Sequence, residues 1–121
     1  KLNECNYCIV HHTPRLIDYG LSALSANNIL EPVVPGFDAV DMLVRDYSMQ
    51  VTKKPQYIND TIFSELRVHF DDAQIVELTL RISLCGFFNR FNDALQINIE
   101  NDAAIEFSEI NGSKYSVGDL K

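Results

Sequence analysis

The sequence predicts an all-α protein. Apolar residues recur at steps of three and four through the middle of the chain. Helix-start and helix-stop signals bracket those stretches, and a run from Ile75 to Phe88 is apolar on nearly every side. The length, 121 residues, suits a single domain over 1–121 with room for a real core.

Taken in order, the first element is a helix over residues 4–19. Gly20 stands where a C-cap glycine belongs. Pro14 lies inside this helix, so a kink or a lost hydrogen bond is expected near residue 10. Ser22 is placed to cap a second, short helix, and Pro32, Pro35 and Gly36 make a loop. Phe37, Val40, Val44, Tyr47 and Val51 form one apolar stripe on a helix of about sixteen residues. Lys53, Lys54 and Pro55 end it, because cations suit a helix C-terminus and proline stops continuation. Ile58, Ile62, Leu66 and Phe70 share a face of a helix running from about Asp60. Asp71 followed by Gln74 is a capping box.

A long helix then runs from Asp72 to about Leu95. Ile75, Val76, Leu78, Leu80, Ile82, Leu84, Cys85, Phe87 and Phe88 leave it almost no polar face. A helix that is apolar all round is buried. It is therefore expected to be the long buried central helix of the bundle, or the helix that lines a subunit interface. Cys85 is expected there as an inert core thiol. Residues 98–121 show no sustained period and are expected to form an irregular tail, with an extended piece at Ala104–Phe107 and a turn at Asn111 and Gly112. So few helices around one all-apolar helix would expose hydrophobic surface, so a homo-oligomer is expected. The chain starts at Lys1 instead of a methionine, so further sequence upstream of it is expected.

Composition narrows the function. The net charge of -7 repels phosphate backbones and argues against nucleic acid as a partner. No apolar run approaches the ~20 residues of a membrane span, and no signal peptide is visible. Three cysteines, an odd number, do not make a disulfide-stapled secreted domain. They fit a reducing, cytoplasmic compartment in which a close pair does redox work or holds metal.

That pair lies in the stretch CNYCIVHH, Cys5 to His12. On a helix, Cys5, Cys8 and His12 fall within an arc of about 60°, while His11 points elsewhere. A helix N-terminus and a neighbouring imidazole both favour a thiolate. A second thiol one turn away can close a disulfide once the first has been oxidised to a sulfenic acid. Two plainer readings stand beside this one. Cys5, Cys8 and His12, with His11 or His69, could assemble a zinc site. The cysteines could also be small apolar residues of a buried helix. Glu4 and Tyr7 are read as a first-turn acid and a packing residue.

The same residues resemble a known family. CNYCIVHH followed by Gly20, Leu21 and Ser22 is similar to the reactive helix of the carboxymuconolactone decarboxylase superfamily, in its AhpD-like alkylhydroperoxidase branch. The stretch LRVHFDDAQIVELTLRISLCGFFNRFNDALQI, residues 66–97, is similar to that family's long core helix. The similarity covers about residues 3 to 97. It implies an AhpD-like helical bundle whose protomers assemble as dimers up to hexamers. It also implies thiol-based reduction of small hydroperoxides, with an external dithiol or protein reductant and no cofactor or metal. By position, Cys8 matches the peroxidatic cysteine, Cys5 the resolving cysteine and His12 the histidine of the proton relay. Where the family pattern has a histidine before the second cysteine, this chain has Tyr7, and the relay glutamate would fall before Lys1. The alternatives are a decarboxylase-type small-molecule enzyme and a non-catalytic, redox-sensing helical oligomer.

Overall fold

A computed structural model describes residues 1–112 of the chain. The described residues are helical and contain no strand. Six helices follow one another: α1 (Asn6–Asp18), α2 (Ala23–Asn27), α3 (Ala39–Lys53), α4 (Asp60–His69), α5 (Asp72–Ala94) and α6 (Asn101–Asn111), with a 3-10 turn at Pro55–Tyr57. The described residues form two compact units. One comprises Asn3–Gly36 and residues 89–112; the other is Phe37–Phe88.

In Phe37–Phe88 the predicted stripes meet. Tyr47, Leu66 and Ile75 are buried together, with Leu43, Val51, Ile58, Ile62, Phe63, Phe70, Leu78 and Ile82 packed around them. Burying an aliphatic side chain of this kind stabilises by about 1.5–3 kcal/mol. The Tyr47 hydroxyl taken into this core is 2.6 Å from Thr79 Oγ1, which donates to the carbonyl of Ile75. The expected Asp71–Gln74 box is present, and a second capping box stands at the start of α3. Asp38 and Asp41 form a capping box on α3. The Asp71 N–H donates to Gln74 Oε1, and the Gln74 N–H returns to Asp71 Oδ1.

The expectation of a buried central helix is corrected. Only Ile75 of α5 is buried, and Leu78 and Ile82 are half-buried. Val76, Leu80, Leu84 and Phe87 lie at steps of four, four and three along the other side, between 45% and 67% exposed. Apolar residues of α3 and α4 pack on the side of α5 that carries Ile75, Leu78 and Ile82. Cys85 is exposed as well, so the expected core thiol is overturned.

In the other unit, α1 runs unbroken through the buried Pro14. It ends in a Schellman motif: the Gly20 N–H donates to the Ile17 carbonyl and the Leu21 N–H to that of Leu16. Gly20 adopts φ +95°, where a side chain is disfavoured. Ser22 caps α2 by accepting from the Ser25 N–H.

The predicted irregular tail is also corrected over its described part. Residues 101–111, including the segment expected to be extended, form α6, and Gly112 caps it in the left-handed conformation. Ala104 and Phe107 bury one face of α6 against Val10 of α1, with Ile9, Ile99 and Ala103 alongside. Glu100 at the N-cap makes no side-chain cap bond. The remainder of the predicted tail, 113–121, lies outside the described residues.

Candidate thiol site

Cys5 is the N-cap of α1 and Cys8 its third residue. This geometry brings the two sulfurs to bonding distance, with the Cα atoms 5.3 Å apart. The sequence-predicted pair is therefore a disulfide across the first turn of a helix. Its two ends differ. Cys5 is 2% exposed, and its sulfur accepts the Cys8 backbone N–H at 3.3 Å, a cap normally made by a hydroxyl or carboxylate. Cys8 is only half-buried. The Asn92 side-chain amide, from the last turn of α5, lies 3.8 Å from the Cys8 sulfur with its nitrogen forward.

His12 lies on α1 at an exposed position, and among the described residues no hydrogen bond joins it to either sulfur. Partial desolvation holds its imidazole below the usual value, and the positive charges of Arg15 and His11 push the same way. The ring is thus kept neutral, the form that can accept a proton. The three predicted site residues fall within about two turns at the start of α1, but only the two cysteines are joined.

His11, set apart by the helical wheel, has specific partners. Its Nδ1 is 2.8 Å from the Tyr7 carbonyl, its Nε2 is 2.9 Å from Glu100 Oε2, and its ring stacks on Tyr7 at 4.1 Å. The Tyr7 hydroxyl donates to Glu100 Oε1 at 3.4 Å, and its acidity is reduced by desolvation first and by Glu100 second. This cluster ties α1 to the start of α6. With both ring nitrogens directed at acceptors, His11 has no nitrogen left to serve a thiol.

Among the described residues, no three His, Cys, Asp or Glu side chains converge as metal ligands, so the zinc arrangement with His11 or His69 is not assembled. None of the described helices is long and apolar enough to cross a membrane.

Asn92 and Glu100 are the contacts that sequence reasoning missed. Asn92 falls in the asparagine-rich run NRFND, which reads as the polar end of a helix. Glu100 falls in a segment without a helical period. No protein-family model matches the chain, and neither a curated protein nor a solved structure does.

Proposed function

We propose that the chain is a thiol-dependent hydroperoxide reductase of the AhpD-like type, working in a reducing, cytoplasmic compartment. The observation that carries the reading is the Cys5–Cys8 pair at the N-terminus of α1, with one sulfur enclosed and the other accessible. A substrate reaches the accessible sulfur, and the enclosed one is placed to resolve. The N-terminal end of a helix favours the thiolate that the chemistry needs.

In the reaction, the Cys8 thiolate attacks the terminal oxygen of R–O–OH. An S–O bond forms and the O–O bond breaks. The alkoxide leaves as ROH after taking a proton, and Cys8 becomes a sulfenic acid. The Cys5 thiol then attacks the Cys8 sulfur, water leaves, and the disulfide forms. Two electrons from an external dithiol restore both thiols. The neutral His12 ring, one turn beyond Cys8 on α1, suits a proton acceptor.

The assembly belongs to the same proposal. The outward stripe Val76, Leu80, Leu84 and Phe87 on α5 is the kind of surface that a second copy covers. A monomer by light scattering at micromolar concentration would remove this part.

The test is steady-state turnover of tert-butyl hydroperoxide with dithiothreitol as reductant. Turnover is expected in the native chain and background consumption in Cys8→Ser. A single stoichiometric oxidation without turnover would reduce the reading to a redox sensor. Undiminished turnover in a Cys5→Ser, Cys8→Ser double variant would remove thiol chemistry altogether.

A further inference from the structure

We propose that Asn92 is a working part of the thiol site: its side-chain amide holds the Cys8 sulfur as a thiolate and makes Cys8, not Cys5, the sulfur that attacks substrate and receives the reductant. The inference rests on the thiol–disulfide reading above.

Four observations converge. The Asn92 amide nitrogen faces the Cys8 sulfur across 84 residues of sequence. One turn earlier on α5, Asn89 Oδ1 accepts from the Asn3 side chain at 2.6 Å, which fixes the segment leading into Cys5 against the same helix end. The main chain of Asn92 is fixed too. Its carbonyl accepts from the Ile97 N–H while the Gln96 N–H donates to the Asp93 carbonyl, a Schellman motif that requires a left-handed residue. Gln96 fills that place at φ +50°, and Glu4, immediately before Cys5, stands at φ +55°. These are the only positive-φ residues other than glycine among the described residues. Non-glycine residues held in this conformation cost about 1–3 kcal/mol each and cluster where a structure must aim a group. Here they flank the two segments that meet at Cys8.

The chemistry follows from the unequal surroundings of the sulfurs. Cys5 already has the Cys8 N–H as its donor and is enclosed. A reductant thiolate therefore attacks the open Cys8 sulfur. A new S–S bond forms to Cys8, the Cys5–Cys8 bond breaks, and Cys5 leaves as a thiolate onto the N–H of Cys8 and takes a proton. The donor's second thiol then attacks the donor's own sulfur, and the donor departs as its disulfide. Cys8 is released as a thiolate onto the Asn92 amide. Because an amide does not titrate, this donor is present at every pH, unlike an imidazole. Hydrogen bonds to charged groups are among the stronger ones, and sulfur is a long, soft acceptor.

The experiment is the pH profile of iodoacetamide alkylation at Cys8 in the fully reduced protein. Peptide mass analysis separates Cys8 from Cys5 and from the exposed Cys85. In Asn92→Ala the Cys8 midpoint is expected to rise by about half a pH unit to one unit, since one unit is a tenfold change in thiolate population. Asn92→Asp, nearly isosteric, should raise it further by adding a negative charge. The Cys5 profile should stay in place in both variants. Two folded variants with unchanged Cys8 midpoints, or an equal shift at both cysteines, would overturn the proposal. If either variant fails to fold, the other decides. The readout needs no peroxide, so a chain without peroxidase turnover but with the Cys8 shift would lose the proposed function and keep Asn92.

Discussion

Leu66, in Phe37–Phe88, is wholly enclosed by apolar neighbours, whereas Cys8, in the unit that holds α1 and α6, keeps part of its surface open. The contrast extends to the surroundings of each. Around Leu66, two other buried and eight half-buried hydrophobic residues pack together, and the Tyr47 hydroxyl meets that of Thr79. In the unit that holds Cys8 the apolar cluster between α1 and α6 is small, Val10, Ala104 and Phe107 with three neighbours, and polar contacts join residues distant in sequence: Asn3 with Asn89, Cys8 with Asn92, His11 and Tyr7 with Glu100. Among the described residues, the non-glycine left-handed ones, Glu4 and Gln96, are both in this second unit. Packing fixes the first region; aimed polar contacts fix the second. Reactive groups need the second arrangement, because a sulfur sealed like Leu66 could meet neither substrate nor reductant.

The largest expected effect that sharpens this contrast is in the packed region. Leu66→Ala should destabilise by about 2–5 kcal/mol, read from urea denaturation, because the enclosed site has little room to collapse. A cost below about 1 kcal/mol would mean that the cluster relaxes and is not close-packed.

A smaller effect is expected at the end of α1. Gly20→Ala meets no atom within 4 Å, so its cost is conformational alone. At φ +95° about 1–2 kcal/mol is expected from thermal denaturation. No loss at all would show that the Schellman turn does not position α1.

The smallest effect is electrostatic. His12 titrates below its ordinary value of 6.5 in the folded chain, so the unfolded chain takes up this proton first as pH falls. The handicap is absent above that value and grows as pH drops through it. His12→Gln should therefore lose less stability than the native chain between about pH 7.5 and pH 5.5. Parallel stability curves for the two proteins would show that the ring is not desolvated.

Much of this was readable in advance, and the failures have physical causes. Helix boundaries that rest on short-range signals came out as expected: the Asp71–Gln74 box, Gly20 before Ser22, and Lys53–Pro55. So did the Cys5–Cys8 pairing, because a spacing of three on a helix is a local fact. α6 was missed because Glu100 provides no side-chain cap and only Ala104 and Phe107 are buried. The exposure of Cys85 and of half of α5 was missed because periodicity reports which residues prefer burial, not how many neighbours exist to bury them. Asn92 and Glu100 reach α1 through tertiary folding, and no sequence rule pairs residues so far apart.

The central claim is that Cys8 is the sulfur peroxide oxidises. It is tested most directly by treating the reduced Cys5→Ser variant with one equivalent of tert-butyl hydroperoxide in the presence of dimedone and mapping the adduct by peptide mass analysis. The account predicts a dimedone-trapped sulfenic acid on Cys8, with exposed Cys85 unmodified. An adduct on Cys85, or none on Cys8 while the peroxide is consumed, would contradict it.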